Sequence, residues 1–428
     1  MGSGTKFRVA ICGAGVGGLT TAVALSQYPD IEVEIFESAN KLAEIGAGIG
    51  LFPRPWEVIK KLHLEEDLLK ATETKPTEGP VASFKRNLMT FHRPDFQNAL
   101  LRRLPPSYRI HCSKRLQSYT QRQGGPISLL FEDGTKASCD ILVGADGLKS
   151  AVRRSLLSEK AQWAQSENNW SEAADIAALI EPAWSGTNAY RALIPADRLR
   201  ARDPHHRVFK QPTQYLGKNG YIIAYPIVRG KMINFVAFKS QHDLEKTKFN
   251  DPWVGPADSA EFLSLFKNWE PEVQALLDCV QKPLRWAIHT VKPLGSFVSG
   301  NVAILGDAAH AMTPHQGSGA GQAIEDAYIL STVLGHPSTT RATIARALSI
   351  YDHIRRPFAQ KAQERSRLNG QYFTLNCKEI NFDRVAEHEL LPKLQVLGQV
   401  FTKNWEWAWT TSLGGSVQEA TRLLESSS

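Results

Sequence analysis

The sequence predicts an α/β fold: a parallel sheet with helices packed on it, an inserted lobe built on a mixed sheet, and C-terminal helices. Three observations predict it. The first 36 residues read as strand, glycine turn, helix, strand. Two later apolar runs, residues 140–143 and 301–305, each lead into Gly and Asp. Between Ser155 and Trp286 this pattern gives way to scattered tryptophans and alternating apolar runs.

Each element has a local reason. Residues 7–12 form a short apolar run rich in β-formers. Gly13, Gly15, Gly17 and Gly18 interrupt it, and residues 19–27, rich in Ala, Leu and Thr, suit a helix. Residues 31–36 alternate apolar side chains with Glu32 and Glu34, as a strand with one wetter face does. Gly144-Ala145-Asp146-Gly147 and Gly306-Asp307 follow the two later runs. Gly and Asp therefore stand at the carboxyl ends of buried strands, where open α/β sheets hold ligands. Residues 221–228 and 232–238 alternate as antiparallel strands do. With Trp163, Trp170, Trp184, Trp253 and Trp269 nearby, they mark the inserted lobe. Residues 320–333 and 341–365 read as helices. Trp405, Trp407 and Trp409 alternate at a period of two, which suits packing against the body or a partner subunit.

Composition narrows the class. In 428 residues, 42% are hydrophobic and 22% charged, so the chain is not disordered, collagenous or a coiled coil. The net charge of +7 comes without any long basic block, which favours small anions over nucleic acid. Cys12, Cys112, Cys139, Cys279 and Cys377 are odd in number and never form C-x-x-C. That speaks against disulfides and bound metal and for a reducing, cytoplasmic setting. Residues 9–29 carry no charge and follow Lys6 and Arg8, as a signal peptide or membrane span would. Their clustered glycines suit a turn better, so no membrane association is expected.

Gly13-Ala14-Gly15-Val16-Gly17-Gly18 fits G-x-G-x-x-G. Gly13 permits the tight turn, Gly15 lets backbone approach a pyrophosphate, and Gly18 lets the helix pack on the sheet, a Rossmann-like arrangement. Glu37, nineteen residues after Gly18, can accept ribose hydroxyls. The motif alone does not separate FAD from NAD. No G-x-S-x-G and no H-E-x-x-H occurs.

Residues 144–153 (Gly-Ala-Asp-Gly-Leu-Lys-Ser-Ala-Val-Arg) resemble the DG motif of single-component flavoprotein aromatic hydroxylases. Residues 306–317 (Gly-Asp-Ala-Ala-His-Ala-Met-Thr-Pro-His-Gln-Gly) resemble their GD motif. With the glycine turn, the three signatures occur in that family's order. The likeness is greatest to salicylate hydroxylase-like enzymes, including fungal 4-hydroxybenzoate 1-hydroxylases and phenol dearomatases. The resemblance implies a fold like that of 4-hydroxybenzoate hydroxylase. The FAD-binding domain is then discontinuous (1–75, 90–165 and 286–365), the substrate domain comprises 76–89 and 166–285, and 366–428 are C-terminal helices. It implies FAD as cofactor, NAD(P)H and O2 as co-substrates, and C4a-hydroperoxyflavin as oxygen donor. A homodimer is compatible with it.

The resemblance also assigns residues. Asp307 meets the ribityl chain. The loop from Pro314 to Ala320, with Gly317, turns backbone N–H groups to the flavin ring. Arg93 and Gly50, the latter closing Gly46-Ala47-Gly48-Ile49-Gly50, lie against FAD, with Asp146 and Arg153 where NAD(P)H approaches. Relatives carry an Asn-containing stretch where this chain has Gly50-Leu51-Phe52-Pro53-Arg54-Pro55, which places an Arg and a Phe near the flavin edge. His310 reads as a packing or backbone-bonding residue, and residues 351–357 as a structural helix.

The oxygen donor is electrophilic, so the site must hold the substrate as an anion and keep water out. Arg191, a permanent planar cation in an otherwise apolar run, is the first candidate. It aligns with the anion-binding arginine of the dearomatase branch, and Tyr225 with that branch's substrate tyrosine. His315 is a third candidate, beside the flavin edge. A small aromatic phenolic acid is the expected substrate. A 4-hydroxybenzoate-type acid, giving hydroquinone and CO2, is preferred on the likeness of residues 50–55 and the Trp-rich tail to the fungal enzymes. Salicylate 1-hydroxylation and dearomatisation of an alkylated phenol are the alternatives. An FAD carrier or sensor without turnover, and a plain NAD-dependent dehydrogenase, are the readings from other classes.

Overall fold

The computed structural model describes residues 4–42, 48–71, 88–122, 124–228 and 230–426. Gly46, Ala47 and residues 76–87 of the expected insertion lie outside them. Two compact units emerge: Met1–Pro182 with Val291–Glu364 and Glu406–Ser428, and Ala183–Thr290 with Arg365–Trp405.

The first unit is organised by a six-stranded sheet. In spatial order its strands are Val298–Ser299, Val302–Ile304, Ile141–Gly144, Phe7–Cys12, Ile31–Phe36 and Arg109–His111. Neighbours are parallel except the edge pair that begins the series. Ile11, Ile35, Leu142 and Ala303 are all inaccessible to solvent. Burial on both faces explains why these strands read as continuous apolar runs. Register then does the functional work. Cys12 lies opposite both Phe36 and Gly144, and Gly144 opposite Ile304. Four strands end level, so Gly13, Glu37, Ala145 and Leu305 leave the sheet at one edge.

Helix Val16–Leu25 starts three residues before the expected helix, and nine of its ten residues are buried. The uncharged stretch 9–29 is thus an internal strand, turn and helix. Among the described residues no helix is long and apolar enough to cross a membrane. The change of character at Ser155 does not open the second lobe. Helices Ala151–Ser166 and Trp170–Ala177 belong to the first unit and leave Trp163 and Trp170 each 66% exposed. The alternating tryptophans are helical rather than extended: Trp407–Thr410 is a short helix, with Trp407 edge-on to Phe358 and Trp409 tilted against Phe52.

The second unit is built on six strands in the order Thr213–Gly217, Gly220–Ile227, Met232–Ser240, Ala183–Pro195, Leu284–Thr290 and Val254–Pro256. Every neighbouring pair is antiparallel, as the alternation of residues 221–228 and 232–238 indicated. One face carries Tyr190, Ile222, Ala224 and Phe235 into a core with Phe262, Phe266 and Leu276. The other presents Ala189, Tyr221, Val236 and Phe238, packed with Phe373.

Candidate active site

The glycine turn is dictated by packing. Gly13 has φ +103°, and a Cβ there would lie 2.2 Å from the Ala145 carbonyl oxygen. A Cβ on Gly18 would lie 1.9 Å from the Gly13 carbonyl oxygen. Gly15 caps helix Val16–Leu25, whose first turn has neither a side-chain cap nor an acidic residue. Its free N–H groups and positive dipole end are therefore available to an anion. One Glu37 oxygen accepts from the Ala14 N–H and the other from the Ala39 N–H, each at 2.7 Å. Buried Gln97 donates to the Ala14 carbonyl at 3.1 Å, bracing the same turn.

The GD motif rests on a buried ionic network. Arg355, with no solvent exposure, donates to Asp326 (2.7 Å), Glu325 (2.9 Å) and the Gln322 side chain (2.7 Å). Asp326 accepts from the Gly306 N–H at 3.0 Å and pairs with His310 Nε2 at 2.5 Å. His310 thus bonds a carboxylate, a partner that sequence reasoning did not assign to it. Burial alone would raise the Asp326 carboxyl. The charges of His310 and Arg355 and the hydrogen bonds outweigh it and hold the group at about 2. Arg54 extends the network. It donates to Glu325 (3.0 Å), Thr411 Oγ1 (3.0 Å) and the Ser412 carbonyl (2.6 Å), and lies 4.1 Å from the Phe358 ring centroid. Arg54 is buried inside this network. An adjacent acid pair, Glu325-Asp326, inside an apolar helix was the available signal for this network.

The other expected cofactor residues gather around that loop. Strand Gly48–Leu51 pairs with Met89–His92, so Gly50 and the residue before Arg93 share one small ribbon. Asp307 acts on Arg93 through its charge: burial lowers the guanidinium's pKa, and Asp307 opposes that. Asp307 itself is exposed. Gly317 has φ +59°, and nothing lies within 4 Å of where its Cβ would be. Helix Gly319–Gly335 follows, with Ala320 in its first turn, no side-chain cap and no acid there. His315 is buried, 6% exposed, in the turn Pro314–Gln316.

Asp146 is engaged locally. It accepts from the Ser150 hydroxyl and the Ala151 and Val152 N–H groups, and burial raises its pKa against those bonds. Arg153 is buried and donates to the carbonyls of Ala308 (2.9 Å) and Leu148 (2.6 Å). It ties the DG turn to the GD helix and is not exposed to an approaching ligand. Two uncapped helix starts, a turn only glycine can make and an open glycine at positive φ fit a flavin dinucleotide. Gly13, Gly15, Gly18 and Glu37 suit its adenosine diphosphate half. Asp307, Arg93, Gly317 and Ala320 suit its flavin half.

The second unit holds the remaining candidates. Arg191 lies opposite Val236 and Leu284, Val236 opposite Ile223, and Asn234 opposite Tyr225. Opposed residues share a face, so Arg191, Tyr221 and Tyr225 all lie on the Ala189–Phe238 face. Among the described residues of the six strands, Arg191 is the only charged side chain that this register puts there. Burial raises the hydroxyl pKa of Tyr221 and of Tyr225, and the Arg191 charge lowers both. Both phenols therefore stay protonated at neutral pH, within reach of the cation's field. The even spacing of Tyr221 and Tyr225 along one strand was the sequence signal that the two share a face.

Known proteins resemble this chain along most of its length. The FAD binding domain family matches residues 6–199 and 285–366. A salicylate hydroxylase from Pseudomonas putida is 33% identical, over 98% of this chain and 95% of that protein. A 6-methylsalicylate 1-monooxygenase from Aspergillus terreus is 32% identical, over 98% and 92%. The solved structure of a salicylate hydroxylase substrate complex superimposes with a TM-score of 0.82 at 30% identity, covering 97% of this chain and 98% of that one. The chain belongs to the FAD binding domain family and is a flavin-dependent aromatic monooxygenase of the salicylate hydroxylase type.

Proposed function

We propose that the protein hydroxylates a phenolic acid at the carbon bearing the carboxylate, with release of CO2. The observation that carries this is Arg191, which the register sets, as the only charged side chain among the described strand residues, on an apolar sheet face beside two protonated phenols. A guanidinium fork suits a carboxylate or phenolate and stays charged at any working pH. On a face of low polarity its attraction for an anion is less screened than in water. Tyr225 then donates to the same oxyanion and fixes the ring's orientation.

Bound FAD, reduced by NAD(P)H, supplies activated oxygen from O2. The acid, O2, NAD(P)H and two protons give a dihydroxyarene, CO2, water and NAD(P)+. A hydroxyl ortho or para to the carboxylate supplies electron density to the attacked carbon, and loss of CO2 restores the aromatic ring. Asp326, Arg355 and Glu325 hold the loop that carries Asp307, and Glu37 holds the glycine turn; neither group moves a proton.

The features that favoured 4-hydroxybenzoate have structural uses. Arg54 is in the buried network, and Trp407 and Trp409 pack on Phe358 and Phe52. The named relatives act on 2-hydroxybenzoates. Salicylate-type acids therefore stand first and 4-hydroxybenzoate second. The test is Arg191→Gln. It should raise KM for the acid at least tenfold while FAD stays bound, and Arg191→Lys should recover only part of the loss. Unchanged KM in Arg191→Gln would remove the anchor.

A further inference from the structure

Arg191 has a neighbour that neither the motifs nor the reaction accounts for. On strand Leu284–Thr290 the register sets Leu284 opposite Arg191 and Trp286 opposite Ala189, one step along the same face. The guanidinium carbon of Arg191 lies 5.4 Å from the Trp286 ring centroid, within cation–π range. Trp286 is 37% exposed, and Leu284, Leu193 and Val254 on the same face are exposed too. On the opposite side of Arg191 the register runs through Val236 to Ile223, flanked by Tyr221 and Tyr225. The cation therefore stands between an indole and two phenols.

Resting on the reading of Arg191 as the substrate's anchor, we infer that Trp286 is its positioning residue. The indole covers one side of the guanidinium, limits its rotamers and keeps the fork directed toward the tyrosine side. Two consequences follow. An arginine side chain has many rotamers, and one already held loses less of that freedom when an anion binds. A covered guanidinium face is also shielded from water, which strengthens in-plane pairing with a planar carboxylate or phenolate. Trp286 thereby favours anionic aromatic ligands over neutral ones of the same shape.

The experiment uses FAD-loaded protein and two probes of one shape, salicylate and salicylamide, titrated calorimetrically below pH 7.5. 4-Hydroxybenzoate and its amide are run in parallel. Trp286→Leu should weaken acid binding about 5- to 30-fold and leave amide binding, FAD affinity and melting temperature within twofold or 2 °C. Trp286→Phe should restore most of the loss. In steady state the change should fall on KM rather than kcat. On an Arg191→Gln background Trp286→Leu should change nothing further, because its effect passes through the cation.

Three results overturn the inference alone. One is equal loss for acid and amide, the mark of a packing role. Another is a full Trp286→Leu effect in the Arg191→Gln background. The third is wild-type acid binding in Trp286→Leu while Arg191→Gln is impaired, which removes Trp286 and leaves the anchor standing. If Arg191→Gln binds the acids normally, or neither acid binds the wild type, the anchor reading falls and this inference with it.

Discussion

Asp326→Asn isolates the charge that holds the GD turn. The substitution keeps the volume and an acceptor for the Gly306 N–H but removes a carboxylate that has no solvent exposure. Two routes give the magnitude. A carboxyl held at about 2, against a reference of 3.8, contributes about 2 kcal/mol at neutral pH. Breaking a buried ion pair by removing one partner costs about 3–5 kcal/mol. Arg355 keeps Glu325 at 2.9 Å, which brings the expectation to about 2–4 kcal/mol. In a unit of this size that lowers the melting temperature by roughly 4–12 °C. The sign of the pH dependence follows from the depressed value. The carboxylate's contribution is complete above pH 3.8 and is lost as pH falls through about 2, because only there does the folded form also take up the proton. Wild type should therefore lose its stability advantage over Asp326→Asn between pH 4 and 2. Thermal melts followed by flavin fluorescence at pH 7 and across that range are the assay. Equal stability of the two proteins at pH 7, with FAD retained, would refute the reasoning.

Other perturbations test separate parts of the account. Gly13→Ala drives a Cβ to 2.2 Å from a backbone oxygen at φ +103°, so the variant should purify without FAD or aggregate; yellow, stable protein would contradict the packing argument. Tyr225→Phe should weaken acid binding about 3- to 10-fold. In wild type, acid affinity should not fall near pH 10, because burial raises the Tyr225 hydroxyl above its ordinary value and Arg191 offsets this only in part; a break at pH 10 that Tyr225→Phe abolishes would contradict this. Arg54→Met removes both bonds to residues 411–412 and should expose that segment to limited proteolysis, read by mass spectrometry of the first cleavage products. Unaltered cleavage would show that Glu57, which accepts from the Ser412 hydroxyl at 2.7 Å, holds the segment alone.

Much of the first unit was legible because its signals are local. A glycine at positive φ, a buried strand and a following helix leave marks within ten residues, and strands Phe7–Cys12 and Ile31–Phe36 fall where the pattern put them. What stayed hidden depends on distance. The partners of Arg54 and Arg355 are up to 358 residues away, and no spacing rule links them. The late start of the second unit escaped because Trp163 and Trp170 look like core residues, yet their helices leave them on the surface. Arg191 stood out as a charge in an apolar run. That Tyr221 and Trp286 share its face follows from antiparallel register, which one strand's sequence does not encode.

The central claim is attack at the carboxyl-bearing carbon. Salicylate and 4-hydroxybenzoate, each labelled with 13C in the carboxyl group, would be incubated with FAD-loaded protein, NADH, NADPH and air. The account predicts labelled CO2 equal in amount to the nicotinamide oxidised, with unlabelled catechol from the first acid or hydroquinone from the second. Retention of the label in a dihydroxybenzoate would place the new oxygen on a C–H carbon and contradict it.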